Sequence, residues 1–232
     1  MKLPSEKEFL SHISYDSVIF GFSGKELKIL VIKYPTGHYA LPGGFVKRNE
    51  DLSDAVKRGL SDRTSLSNIY LEQFHTFGSL KRYDPETMQE LLKAAGLNPD
   101  PSHWMLDRFF SIAYYALINF KDVDPKPDQL SDSIDWYDIH NLPPLMQDHN
   151  KIVAMALQTL RDNLDRKLIG VNLLSEKFTM KELQEVHEVI LEKKLRRTTF
   201  QRKMLSLEIL ERHEKRYSGE AHKAPYLYSF KK

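Results

Sequence analysis

The sequence contains no cysteine, which excludes disulfides and any thiolate-ligated zinc or iron–sulfur centre. No run approaches the roughly 18 apolar residues that a bilayer span needs. The start, MKLPSEKEFLSHISYDS, lacks the apolar core of a signal peptide. No H-x-H or H-x3-H pair offers a metal site, and neither an internal repeat nor a low-complexity tract is present. These absences leave a cytoplasmic globular chain as the simple expectation. Its 232 residues are too many for one minimal domain and comfortable for two.

Charge separates the two ends. The overall balance is only +2, yet residues 151–232 carry 18 Lys and Arg against 11 Asp and Glu, a net of +7, which leaves −5 for the rest. A basic module joined to a mildly acidic one suits a polyanion partner such as DNA, although a solvated basic face has the same composition.

Along the first half, DSVIFGFS (16–23) and ELKILVIK (26–33) read as a β-hairpin around Gly24-Lys25. The chain turns sharply at Pro42-Gly43-Gly44, and residues 50–66 place Leu52, Ala55, Val56 and Leu60 at helical spacing. Strands follow at 70–80, 108–118 and 132–139. Between the first two, PETMQELLKAAG predicts a short helix closed by Gly96, on an insertion. A helix from Ile152 to Leu164 caps this half, and the boundary falls near 165–176. Beyond it, Thr179 opens a helix with Leu183, Val186, Val189 and Ile190 apolar. Residues 196–210 supply a second helix docked by Phe200, Met204 and Leu205. A turn at Ser218-Gly219 then joins two strand-like edges. Helix, turn, helix and ribbon outline a winged helix.

Residues 44–66 resemble the Nudix box, G-x5-E-x7-R-E-U-x-E-E-x-G-U with U aliphatic. Gly44, Glu50, Arg58, Leu60 and Leu66 fall on its positions, and Leu41-Pro42-Gly43-Gly44 matches the usual lead-in. The resemblance implies divalent-metal hydrolysis of a diphosphate, with carboxylates of the box helix as ligands. Here those three positions read Gly59, Asp62 and Arg63, and the box glycine reads Ser65. A glycine offers no side-chain ligand, and an arginine puts a permanent cation where the metal would sit. The expectation is therefore a retained fold without the hydrolase reaction, and without metal or cofactor, with Glu50 as a loop-fixing hydrogen-bond acceptor or a salt-bridge partner of Arg58. The rival reading is an active Nudix pyrophosphohydrolase with ligands from outside the box, such as Glu86, Glu90 or Asp107. An inert scaffold whose basic domain binds protein is a third reading.

FTMKELQEVHEVILEKKLRRTTFQRKML is similar to the C-terminal winged helix of Nudix-related transcriptional regulators, on Phe178, Thr179, Leu183, Gln184, Glu188, Ile190, Phe200, Arg202 and Lys203. His187 and Thr199 stand where the pattern has Tyr and Asn. YLYSF resembles the closing wing strand, and FGSLKRYDP with DRFFSIAYYAL resembles two halves of a front-domain segment, parted by the insertion. The resemblance implies an α/β Nudix-like α/β/α sandwich (1–165) followed by an α+β winged helix-turn-helix domain (166–232). It also implies a homodimer on operator DNA that responds to a small metabolite: ADP-ribose-like nucleotides for some members, pentoses for others. The split segment and decayed box favour a sugar or sugar derivative.

The groove-facing set on the second winged-domain helix is Arg197, Thr198, Gln201 and Arg202, with Arg196, Thr199 and Lys203 beside it. Arg reads guanine and Gln reads adenine by paired hydrogen bonds. Arg212, Lys215 and Arg216 on the wing are expected on the DNA backbone. Thr179 is first an N-cap, whether or not it also meets a phosphate. His38, Lys47, Arg63, His75, Tyr83, Arg108 and Tyr114 are the candidate ligand contacts, each with an ordinary core or surface role as its alternative. Strand alternation forbids Tyr114 and Tyr115 from sharing a face.

Overall fold

The computed structural model describes residues 4–65, 71–119, 123–164, 173–216 and 224–231. The expected hairpin is β1 (Phe9–Phe22) and β2 (Leu27–Lys33), and the chain reverses near Gly24 at φ +88, a left-handed conformation that glycine adopts without strain. β3 (Tyr39–Ala40) and β4 (Gly43–Lys47) precede helix α1 (Leu52–Thr64). β5 (Leu71–Phe77), helix α2 (Pro85–Ala94), β6 (Phe110–Asn119), β7 (Ser133–Asp138) and helix α3 (His149–Asn163) complete the first unit. The box residue Leu66 lies outside the described residues.

The strands form one mixed sheet in the order β3-β2-β1-β6-β5, with β4 also on β1 and β7 also on β2. β1 and β6 run parallel in continuous register from Ile13–Phe110 to Phe22–Asn119. On its other side β1 changes neighbour: β4 covers it up to Asp16, and β2 takes over from Phe20. That change of partner opens a gap in the sheet, and a cavity forms there.

Strand alternation sorts the core into two layers. Val18, Phe20, Phe22, Ile29, Val31 and Tyr115 face α3 through Ile152, Val153, Ala156 and Leu160. Ile19, Leu30, Ile32 and Ala116 pack with Leu60 of α1, while Tyr15 and Tyr114 meet its Ala55 and Val56. Helices therefore cover both sheet faces, the expected α/β/α sandwich, and Tyr114 and Tyr115 are on opposite sides.

The insertion is docked, not loose. Asp84 caps α2 by accepting from Thr87 N–H at 3.1 Å, Pro85 stands in the first turn, and Gly96 at φ +75 ends the helix. Leu92, Leu97, Trp104, Met105 and Leu106 join Phe9, Phe45 and Phe109 in one apolar cluster. Trp104 is its centre, 4.9 Å from the Phe45 ring and 5.7 Å from Phe109, and its indole N–H donates to the Pro4 carbonyl.

The second unit contains β8 (Phe178–Thr179), α4 (Met180–Leu191), α5 (Arg197–Ser206), β9 (Leu210–Lys215) and β10 (Tyr226–Phe230). Its sheet has the order β8-β10-β9, so the expected two-stranded ribbon gains a third strand. The turn read at Ser218-Gly219 lies outside the described residues. Phe178, Met180, Leu183, Phe200, Met204 and Tyr228 make its core. α4 serves two cores, because Val186 and Ile190 are buried against the first unit. One expectation is corrected: Leu205 is 44% exposed and does not dock α5. Phe200 and Met204, one turn apart, fill the docking stripe, and Leu205 is rotated about 100° from Met204.

Candidate functional site

The cavity at the gap in the sheet encloses about 310 Å³ and lies wholly within the first unit, lined by the sandwich and by the insertion. This is at the lower end of the range of small-molecule sites, roughly 300–1,000 Å³. One wall is apolar: Phe45, Phe109, Met88, Leu92, Met105 and Leu130. Another part of the lining, a second wall, carries buried charge.

That charged wall centres on Arg82, whose side chain is 4% exposed. Its Nη2 donates to Asp16 Oδ2 at 3.1 Å, and its Nη1 donates to Asp148 Oδ1. Asp16 Oδ2 also accepts from Ser111 Oγ at 2.5 Å. His149 completes the group: its Nδ1 accepts the Leu41 backbone N–H at 3.0 Å, which leaves the proton on Nε2, 3.7 Å from Asp16 Oδ1. Burial pushes the His149 imidazole below its ordinary value, against the pull of Asp16. Two carboxylates thus share one guanidinium inside the protein, an arrangement that geometry must hold closely to be tolerated.

A stability consequence follows for His149. A buried imidazole with a lowered pKa binds fewer protons folded than unfolded, so stability should fall as pH drops below about 6.5, levelling off below its folded-state value. The carboxylates held low by hydrogen bonds, Glu50 by Arg58 and Glu188 by Gln184, act only below their ordinary 4.5, so the two windows separate. His149→Gln, whose amide oxygen can still accept from Leu41, is expected to flatten the urea-midpoint profile between about pH 7.5 and pH 5. A profile as steep as that of the unchanged protein would assign the titration elsewhere.

The box region borders the same cavity, and its geometry does not fit a divalent metal. A Cβ built on Gly59 would lie 2.1 Å from the Tyr15 hydroxyl, so the tyrosine fills the space where the box carboxylate would project. Arg63 Nη2 donates to Asp128 Oδ2 at 2.7 Å, and its Nη1 reaches the Gly59 carbonyl. Asp128 is further committed to Leu130 N–H and the Ser131 hydroxyl. Tyr34, also on the cavity, has its hydroxyl pushed up to about 12 by burial and by Asp128. Glu50 accepts from Arg58 Nη2 at 2.7 Å and from Lys47 N–H at 2.7 Å, the loop-fixing role expected of it. Among the described residues no three His, Asp or Glu side chains converge as a metal set. Glu86 and Glu90 are exposed on α2, and Asp107 pairs with His12.

Of the seven ligand candidates read from sequence, the cavity contains Arg63 alone. His38 pairs with Thr36 in a turn, and Lys47 is exposed beside the Glu50 loop. His75 stacks edge-on with Phe77 on the outer face of β5, and Tyr83 is 55% exposed. Arg108 sits over the Phe110 ring, and Tyr114 is buried with its hydroxyl donated to Gln73. Asp16, Arg82, Asp148 and His149 escaped the sequence reading. The Arg-x-Asp-Pro at 82–85 was the available signal, since it flanks the insertion that walls the cavity.

The second candidate surface is on α5 and the wing. Arg196, Arg197, Thr198, Thr199, Arg202 and Lys203 are exposed, with Gln201 half-buried beside them. Arg212 and Lys215 both lie over the Tyr226 ring, at 4.8 and 5.2 Å, which holds two cations on one face of the wing. Arg216 pairs with Glu182 at 3.0 Å. Thr179 is buried in a reciprocal capping box with Glu182, so its hydroxyl is occupied and the cap reading accounts for it. The turn before α5 is held from inside: Glu188 Oε1 accepts from Gln184 and from Leu195 N–H, both at 2.9 Å. Gln184 also donates to the Leu195 carbonyl. These bonds, with Gln184 first, keep the Glu188 carboxyl at about 2.

Comparison with known proteins matches residues 170–230 to the family model described as the NrtR DNA-binding winged helix domain. The ADPR responsive transcriptional repressor NtrR of Acinetobacter baylyi is 30% identical over 207 residues, covering 86% of this chain and 74% of that protein. The crystal structure of Shewanella oneidensis NrtR has a TM-score of 0.71 at 27% identity, covering 95% of this chain and 94% of that one. The same protein complexed with a 27mer DNA gives 0.69 at 27% identity, over 94% and 93% of the two chains. A MutT/nudix family protein from Enterococcus faecalis, at 21% identity, a TM-score of 0.68 and coverage of 100% and 90%, shares the fold.

Proposed function

The chain belongs to the NrtR family of transcriptional regulators, and on that premise we propose that it represses transcription by binding operator DNA through α5 and the wing, under the control of a nucleotide sugar held in the sandwich cavity. ADP-ribose is the first ligand to test, because the Acinetobacter relative is ADPR responsive. The observation that carries the reading is the mixed lining of the cavity, apolar at Phe45, Phe109 and Met88, charged at Arg82, Asp16 and Arg63. A ribose derivative bearing a base has an apolar ring for the first wall and hydroxyl or phosphate oxygens for the second. A free sugar, the simpler half of the expected sugar or sugar derivative, would leave the apolar lining facing water.

Two units divided near residue 165 have separate tasks in this reading. The first senses and does not hydrolyse, since Tyr15 and Arg63 occupy the space of the box carboxylates. The second reads DNA, as a homodimer on a two-fold related site. The protein works where the DNA is, in the cytoplasm of a bacterium.

The test is a fluorescence-anisotropy titration of the protein against its own upstream DNA, with ADP-ribose, ribose 5-phosphate or arabinose added. Binding should be selective and salt-sensitive, each neutralised phosphate contributing about 0.9 to the log–log slope. ADP-ribose should shift operator affinity by about tenfold or more, and arabinose should leave it unchanged. Absence of any sequence preference across a randomised DNA pool would overturn the repressor reading.

A further inference from the structure

The cavity and the DNA-reading helix are joined by one rigid element, α3. Its 15 residues span roughly 22 Å. At its first turn, Asp148 and His149 belong to the cavity wall through Arg82, Asp16 and the Leu41 N–H. Its middle is locked, with Ile152, Ala156 and Leu160 fully buried against the sheet. At its last turn, Arg161 leaves the first unit altogether. Arg161 Nε donates to the Ile190 carbonyl at 2.9 Å, at the end of α4. Its Nη2 lies 3.0 Å from Glu192 Oε2, and Glu192 Oε1 lies 2.5 Å from His140 Nε2 at the end of β7.

Glu192 is the left-handed cap of α4, at φ 53, and only four residues separate it from the start of α5 at Arg197. The inner side of this turn is fixed by Glu188, Gln184 and Leu195 within the winged unit. Its outer side is fixed by the first unit, through Arg161 and His140. A turn pinned from both sides transmits a displacement of either anchor to the helix that follows.

We propose that Arg161 is the positioning residue that couples the cavity to the DNA-reading helix. An occupant that redistributes the Arg82 contacts of Asp148 and His149 shifts the first turn of α3, and the buried rod carries that shift to Arg161. Arg161 then re-aims the Glu192 turn and, with it, α5. The coupling rests on the cavity being the effector site, as proposed above. It needs no contact between effector and DNA, only a difference in effector affinity between the two settings of the turn.

The test uses the full chain and two separate titrations, ADP-ribose binding without DNA and operator binding with and without ADP-ribose. In Arg161→Gln, ADP-ribose binding without DNA should stay within about twofold of the unchanged protein. Its ADP-ribose-dependent shift in operator affinity should collapse from about tenfold to under about threefold. Glu192→Gln, which keeps the Arg161–Ile190 bond and the packing, should give an intermediate shift and guards against a folding failure in the first variant. A merely adhesive role for Arg161 would change operator affinity equally with and without ADP-ribose and leave the ratio intact. That result, or a full shift in Arg161→Gln, overturns the coupling. If the unchanged protein binds its operator and ADP-ribose does not alter that affinity, the effector reading is overturned and the coupling with it.

Discussion

Replacing Arg82 with methionine is expected to cost about 3–5 kcal/mol of folding stability, a large share of the roughly 5–15 kcal/mol that a typical domain has. Methionine approximates the stem of arginine, so packing is largely kept and the loss isolates the charge. Asp16 and Asp148 are 9% and 10% exposed at their side chains, and the guanidinium is their shared partner. Without it, two carboxylates face each other away from water, and burying an unpaired charge is far more costly than never having built the pair. Ser111 and His149 cannot compensate, since one is neutral and burial opposes charging of the other. Arg82→Lys should recover part of the loss, because a single ammonium cannot bridge both acids as a planar fork does. The triple change Arg82→Met, Asp16→Asn, Asp148→Asn should recover more, as it removes the orphaned charges. Urea unfolding at pH 7 measures all three, and a loss below about 1 kcal/mol in Arg82→Met would show that water reaches the cluster.

This residue also shows where the sequence stops being informative. Arg82 and Tyr83 are neighbours, and composition favoured the tyrosine as a ligand contact, yet the structure turns Tyr83 outward and Arg82 inward. Nothing local distinguishes the two. The choice is made by Asp16 and Asp148, each 66 residues away in the chain. The missed cavity residues share this property: each is defined by partners that only the fold assembles. The insertion compounded the difficulty, because it replaces part of the expected cleft with a wall of Met88, Leu92 and Met105.

The winged unit was legible for the opposite reason. Its signals are local: a Thr179–Glu182 capping box three residues apart, apolar residues on one face of α4, and Phe200 and Met204 one turn apart. The error at Leu205 came from taking two consecutive residues for one face. The hairpin of β1 and β2 was legible through its β-branched runs. The switch of β1 from β4 to β2, which creates the cavity, was not, since pairing order is a property of the sheet.

Gly59→Ala should destabilise the protein by about 1–3 kcal/mol, although the same change inside an ordinary helix stabilises by about 1 kcal/mol. The reversal of sign is the test. Gly59 is in the middle of α1, where glycine is locally unfavourable, and it is buried. What it provides is room: an added Cβ would meet Tyr15 Oη at 2.1 Å and Cζ at 3.0 Å. The tyrosine cannot easily withdraw, because it is 2% exposed and its hydroxyl is also within 2.7 Å of where a Cβ on Gly44 would stand. Tyr15→Phe removes the nearest atom, so Gly59→Ala should cost much less in that background, and the double-mutant cycle should show coupling of about 1 kcal/mol or more. Additive effects would mean that the hydroxyl is not the obstacle. The consequence for chemistry is direct. Gly59→Glu in combination with Arg63→Glu restores two box carboxylates in name, but the first has no space and both would be buried near Asp128 and Tyr15. We expect that variant to unfold at far lower urea than the parent and to show no ADP-ribose turnover with Mg²⁺, whereas adding Tyr15→Ala should recover stability first. Turnover without any change at Tyr15 would refute the steric account of the lost box.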